Sequence, residues 1–78
     1  MTKLELAKIL RDERFDPLAY ELNGGYPSEK YCLEAKDGIW SVYYSERGEQ
    51  SMKRDFLTEE EACDYFLNWI RQSRTARL

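Results

Sequence analysis

An Asp-Gly pair at residues 37–38 separates two runs of alternating apolar and polar residues, 30–36 and 39–45. A two-residue type I′ turn needs positive φ at both central positions, and Asp-Gly is one of the pairs that best provide it. The sequence therefore predicts a β-hairpin closed at Asp37-Gly38, followed by a second turn at residues 46–49. The register of this hairpin is well specified, because a shift by one residue would mix the side chains of its two faces.

This register sorts the side chains of the hairpin into two faces. The first, the aromatic face, collects Tyr31, Leu33, Ala35, Trp40, Val42 and Tyr44. We expect the two ends of the chain to cover it. The second face collects Cys32, Glu34, Lys36, Ile39, Ser41 and Tyr43. We expect this second face to be open, as a semi-apolar patch without a lid.

Both ends of the chain predict amphipathic helices. Thr2 and Glu5 have capping-box spacing, and apolar residues at helical spacing predict a helix over residues 3–14. Thr58 is the expected cap of a second helix, whose first turn holds three glutamates that suit the positive end of the helix dipole. Its buried stripe is expected to contain Ala62, Phe66, Trp69 and Ile70. Residues 75–78 are expected to fray.

Two further strands are predicted beside the hairpin. Residues 18–22 alternate and predict a short edge strand, and residues 23–28 predict a turn. A strand over residues 51–57 would place Met52 and Phe56 on the aromatic face. Arg54 falls on the same face, so either its stem lies along the rim of the core or a bulge shifts the register.

These elements predict an α+β fold in a single domain over residues 1–78. Its architecture is a two-layer sandwich, with an N-terminal helix, an antiparallel sheet of three to four strands and a C-terminal helix. Both helices are expected on the aromatic face. We expect a monomer or a weak homodimer.

The charge of the chain is unevenly distributed. The net charge is −3, but three of the twelve basic residues lie in the last eight positions, which leaves 15 acidic and 9 basic residues in positions 1–70. An acidic body disfavours nucleic-acid binding, which depends on neutralising phosphates, and favours a basic protein partner. A small nucleic-acid binder, with Tyr43 beside Lys36 and Lys53, is the weaker alternative.

No set of residues in the sequence points to catalysis, a metal or a cofactor. The chain has no histidine, the commonest general base, and no Cys-x-x-Cys pair. Cys32 and Cys63 are expected to be free thiols that serve packing. No apolar run reaches the roughly 18 residues that a membrane helix needs, and no secretion signal is apparent, so we expect a cytoplasmic protein without membrane contact.

The remaining candidate function is recognition of another protein. Tyrosine and arginine are enriched at interface hot spots, and exposed acidic residues would attract a basic partner. The predicted contact residues are Tyr43 on the second face, Glu46, Arg47 and Glu49 in the second turn, and Glu59, Glu60 and Asp64 at the start of the second helix. The alternative for the second face is an ordinary solvated sheet surface.

The run WSVYYSERG at residues 40–48, followed by TEEEAC at residues 58–63 and the aromatic helix, resembles a type of small bacterial immunity protein of polymorphic toxin systems. The resemblance covers roughly residues 15–72, including Asp16-Pro17, Tyr20 and Gly24-Gly25. It implies a cytoplasmic stoichiometric inhibitor of a cognate toxin domain, without catalytic activity, and the acidic body suggests a basic nuclease as that toxin. The alternative is a small adaptor or regulatory domain that binds a host protein, with no toxin involved.

Overall fold

The chain forms two helices and four strands, and the computed structural model describes residues 1–25 and 28–78. Two residues of the turn predicted at 23–28 therefore lie outside the described residues. The elements, in chain order, are α1 (Lys3–Asp12), β1 (Tyr20–Glu21), β2 (Lys30–Lys36), β3 (Ile39–Glu46), β4 (Glu49–Phe56) and α2 (Glu59–Arg71). The predicted α+β arrangement is confirmed.

The central hairpin has the predicted register. β2 and β3 pair antiparallel, from Lys36 opposite Ile39 to Tyr31 opposite Tyr44. The turn residues Asp37 and Gly38 have φ values of 53° and 79°, as a type I′ turn requires. The second turn repeats this geometry between β3 and β4, with φ values of 51° and 80° at residues 47 and 48.

The sheet is mixed rather than wholly antiparallel. Its strand order is β1-β2-β3-β4, and β1 pairs with β2 in parallel, with Tyr20 opposite Tyr31. The expected short edge strand is therefore present, but its direction differs from the prediction. A parallel pair cannot be joined by a tight turn, so the chain must cross the sheet between β1 and β2. The start of this crossing, at residues 24 and 25, packs on the second face.

The aromatic face is covered by α2, as predicted. Trp69 contacts Tyr31 edge-on at a ring-centroid distance of 4.7 Å, and Tyr31 contacts Tyr44 in the same way at 5.1 Å. Helix α1 adds Leu6 and Leu10 to the same buried cluster. The other members of this cluster are Phe15, Leu33, Val42, Ala62, Cys63, Phe66, Leu67, Ile70 and Ala76.

The end of the chain is held by a short antiparallel pairing, which we call the C-terminal clasp, between residues 14–16 and 76–78. The Asp16 N–H donates to the Ala76 carbonyl at 2.7 Å, and the Leu78 N–H donates to the Arg14 carbonyl at 2.9 Å. Ala76 is 1% exposed, and the Arg77 guanidinium lies 4.5 Å from the centroid of the Phe15 ring. In this structure residues 76–78 are thus paired with residues 14–16, whereas the sequence predicts that they fray.

An ion-pair network reinforces the clasp. The Glu13 carboxylate accepts hydrogen bonds from both Arg71 and Arg77. The hydrogen bond from Arg71 is the main cause that lowers the pKa of Glu13 below its ordinary value, and Arg77 adds to the effect. Because the folded-state pKa is depressed, Glu13 stabilises the protein above the unfolded-state pKa, and this stabilisation is lost as the pH falls through the folded-state pKa.

We expect Glu13→Gln to lower the free energy of unfolding by about 1 kcal/mol at neutral pH, since solvent screens this surface network. The difference from the wild type should shrink as the pH falls below the ordinary carboxyl pKa and disappear once the pH lies below the lowered folded-state pKa of Glu13. Urea unfolding at several pH values measures both effects. Glu49→Gln, at the exposed tip of the β3–β4 hairpin, is the matched control and should change stability little at any pH. A gap between wild type and Glu13→Gln that persists at the lowest pH would contradict the ion-pair explanation.

Candidate functional site

The second sheet face is covered, and Tyr43 is buried within it. Tyr43 and Cys32 are both 0% exposed. The Tyr43 hydroxyl lies 2.8 Å from the Gly25 carbonyl oxygen and 3.1 Å from Glu34 Oε1, and can donate to either. The prediction that Tyr43 lies on an open face is therefore wrong, because the chain that follows β1 packs onto it, and in this structure its side chain is not accessible to a partner.

Gly24 shows how closely this segment approaches the sheet. A Cβ atom at residue 24 would lie 2.5 Å from Glu34 Oε1 and 2.8 Å from Glu34 Cγ, and the φ of Gly24 is 73°. Glycine is thus required here both by space and by backbone conformation. The Gly24-Gly25 pair therefore closes the sheet over Tyr43.

Both cysteines are free and buried, which confirms the expectation of free thiols. Burial is the main cause that raises the pKa of Cys32 to about 11, and Glu21 and Glu34 add to it. Burial likewise raises the pKa of Cys63 to about 11, with a further contribution from Glu59. Since the thiolate is the nucleophilic form, neither side chain is activated near neutral pH.

The other predicted contact residues lie towards opposite ends of β4. Glu46, Arg47 and Glu49 are exposed at the β3–β4 turn, where β4 begins. The start of α2 follows the far end of β4, and eight strand residues span roughly 20–25 Å. The structure therefore does not bring the turn and the acidic helix start together.

The three acidic residues at the start of α2 differ in their surroundings. Glu59 Oε2 accepts a hydrogen bond from the Lys3 backbone N–H at 2.9 Å, so it caps the first turn of α1. Asp64 Oδ1 lies 3.9 Å from the Met1 amine. Glu60 is exposed and makes no ion pair or hydrogen bond with the described part of the chain. Of the three, Glu60 is the side chain most available to a partner.

A β-bulge on β4 creates a feature that the sequence analysis missed. Pairing is regular from Val42–Arg54 onwards, but it shifts between that pair and Tyr44–Ser51. Met52 lies in this irregularity with a φ of 54° and is 65% exposed. Met52 therefore interrupts the regular alternation of β4, and its side chain is exposed rather than packed in the core.

Beside the bulge, a groove of about 540 Å³ lies between β4 and α2, which we call the β4–α2 groove. It is lined by residues 52–56, Tyr65 and Trp69. The rings of Phe56 and Tyr65 lie 5.3 Å apart, and those of Tyr65 and Trp69 lie 6.3 Å apart. The Arg54 guanidinium lies 5.7 Å from the centroid of the Tyr65 ring. Arg54 thus lies on the aromatic face with its guanidinium exposed to water. Both of the alternatives predicted for Arg54, the rim position and the bulge, are therefore present.

Five of the seven residues that line the groove are of types enriched at protein interfaces, whereas Lys53 and Asp55 are of types depleted there. Aromatic residues, methionine and arginine are enriched there, and arginine and aromatic side chains dominate binding hot spots. One signal for the groove was present in the sequence, since Arg54 did not fit the aromatic face. The bulge itself has no glycine to mark it.

No helix within residues 1–25 and 28–78 combines the length and apolar character needed to cross a membrane. In the same residues, no group of three or more cysteine or acidic side chains is arranged to hold a metal ion. Comparison of the chain with protein-family models, with curated proteins and with solved structures found no match.

Proposed function

We propose that this protein is a non-catalytic cytoplasmic inhibitor of the immunity type, which binds a cognate toxin domain and blocks it. The resemblance of residues 15–72 to small bacterial immunity proteins suggests the class of partner. The β4–α2 groove is the observation that carries the proposal, because it offers a partner an aromatic floor and an arginine on an exposed surface.

The groove is better suited to bind a side chain of a partner protein than an ordinary stretch of surface is. Met52 is 65% exposed at its edge, although burying a methionine side chain stabilises a protein by about 1.5–3 kcal/mol. Tyr65 and Trp69 present ring surface that a partner would cover. A clustered exposure of this kind marks an interaction site more often than a single exposed apolar residue does.

The charges around the groove favour a basic partner. The exposed acids Glu46 and Glu49 lie at the β4 end near the turn, and Glu60 lies beyond the other end. A partner seated in the groove would meet negative charge at both ends. Complementary charge of this kind accelerates association and discriminates against wrong partners.

The experiment is capture of the partner from the native cell with the tagged protein, followed by measurement of affinity and of toxin inhibition. We expect one stoichiometric partner with the architecture of a toxin. The double variant Met52→Asn and Arg54→Glu should weaken its binding by at least about tenfold, because it removes an apolar contact and the arginine that lies over Tyr65. Asparagine tolerates the positive φ at residue 52, so the bulge should persist.

The matched control is Leu18→Asn, which removes an apolar side chain that is 73% exposed before β1, the strand at the opposite edge of the sheet from β4. It should leave affinity within about twofold of the wild type. Equal losses in both variants would remove the groove from the proposal. A stoichiometric host enzyme in place of a toxin would instead identify an adaptor domain.

A further inference from the structure

β4 is a long exposed edge of the sheet. Six of its eight residues are exposed, and only Gln50 and Phe56 are half-buried. The other edge strand, β1, has two residues. An edge strand presents unpaired backbone N–H and C=O groups that can template a further strand. The bulge at Met52 limits regular pairing to the part of β4 that lines the groove.

The hairpin register identifies which backbone groups on β4 face outward. Antiparallel partners alternate between pairs that exchange hydrogen bonds and pairs that do not. Counted from the two-residue turn at 37–38, this alternation places hydrogen-bonded pairs between β3 and β4 at Arg54 and Phe56. Asp55 lies between them, so its N–H and C=O point away from the sheet. An incoming strand would bond to β4 there.

The side chains at this edge indicate which side chains an added strand should have. The Arg54 guanidinium lies over Tyr65 and forms no salt bridge with a carboxylate among the described residues. A side chain directly opposite Arg54 on an added strand would have its Cβ about 5 Å away. A carboxylate fits that position. Two residues further along, the next side chain on the same face would meet Phe56 and Tyr65, where an apolar group fits.

From this geometry we infer that the partner contributes an extended segment that pairs with β4 as a fifth strand. This segment carries an acidic side chain opposite Arg54 and an apolar side chain opposite Phe56. The inference rests on the proposed function, because it takes the β4–α2 groove as the contact surface. It deepens that proposal by naming the conformation and chemistry of the bound segment.

A second copy of this chain fits the edge less well. Antiparallel pairing of two β4 strands about Arg54 would set two guanidinium groups opposite each other at the centre, with a Lys53–Asp55 pair on either side. Pairing about Asp55 would set two carboxylates opposite each other. Like charges directly opposite destabilise a strand pair, so the edge disfavours self-association and favours an acidic segment.

Two synthetic peptides test the inference on the full chain. Each is an eight-residue, threonine-rich peptide with a leucine two positions before a glutamate, or before a lysine in the second peptide, which is the order that antiparallel pairing with β4 requires. Fluorescence anisotropy measures affinity, and NMR follows the Asp55 amide. The glutamate peptide should bind saturably, shift this amide and bind at least about fivefold more tightly than the lysine peptide.

Two variants at residue 55 separate backbone pairing from side-chain contact. Asp55→Pro removes the outward N–H, which an edge strand tolerates. This variant should lower the affinity for the glutamate peptide by about fivefold. Asp55→Ala keeps the N–H and should bind within about twofold of the wild type, although both variants lose the 2.6 Å hydrogen bond from the Ser41 hydroxyl. Should Asp55→Pro fail to fold, the comparison of the two peptides on the wild type remains decisive.

Each contrary result has one meaning. Equal affinity for the two peptides, no saturable binding, or unchanged binding by Asp55→Pro would overturn the strand-pairing inference. A wild-type dimer in sedimentation that Asp55→Pro dissociates would assign the edge to a second copy and also overturn it. If the groove variants abolish toxin capture while Asp55→Pro captures normally, the proposed function stands and only strand pairing falls. If the groove variants have no effect on capture, the proposed function itself falls.

Discussion

Tyr43→Ala is expected to lower the free energy of unfolding by about 3–5 kcal/mol, the usual cost of removing a fully buried aromatic ring. Tyr43 is the largest fully buried side chain in the described structure. Its removal would leave a cavity beneath Gly24 and Gly25 and would deprive Glu34 of a hydrogen-bond donor. Urea unfolding followed by tryptophan fluorescence measures the loss.

Tyr43→Phe separates the contribution of the hydroxyl group to stability from that of the buried ring. It keeps the ring and removes only the hydroxyl, so we expect a loss of about 1–2 kcal/mol from the one acceptor, the Gly25 carbonyl or the Glu34 carboxylate, that loses its hydrogen bond. Lys36→Ala, an exposed β2 position on the same face, should change stability by less than about 0.5 kcal/mol. If Tyr43→Ala costs no more than Lys36→Ala, the second face is not closed by the segment after β1.

Ala76→Asp is expected to lower the free energy of unfolding by about 3 kcal/mol. Ala76 is 1% exposed and belongs to the main core cluster, so a carboxylate there would be buried without a partner. Heat or urea unfolding measures the change, and loss of protection of the Asp16 amide in hydrogen exchange would locate it in the clasp.

The neighbouring position supplies the matched control. Thr75 is exposed, so Thr75→Asp adds the same charge without burying it and should change stability by less than about 0.5 kcal/mol. Similar effects at the two positions would mean that the chain end is frayed after all. A large effect at Ala76 alone would establish that the clasp is part of the core.

The parts of the fold that follow from neighbouring residues were predictable from the sequence. The Asp37-Gly38 turn and the alternation around it determined every pair between β2 and β3. The Thr58 cap and the apolar stripe likewise located α2. In each case the chemistry that specifies the structure lies within a few residues of the structure itself.

The missed features depend on contacts between distant parts of the chain. Alternation in residues 18–22 indicates a strand but does not give its direction, so the crossing over Tyr43 could not be foreseen. The residues of the candidate site were predicted only in part for the same reason. Glu46, Arg47, Glu49 and Glu60 are exposed as expected, whereas Tyr43 is not. The groove lies beside a bulge at Met52, a residue that gives no turn signal.

The C-terminal clasp has a consequence for the order in which the fold is assembled. Glu13 and Arg77 are separated by 64 residues, and Glu59 caps α1 from a distance of 56 residues. Both ends of the first helix are thus anchored by residues that lie far along the chain. The hairpin needs only contacts between neighbouring residues, whereas the anchors of α1 need long-range contacts, which close larger loops and form more slowly. We therefore expect the hairpin to form before α1 is fixed in place.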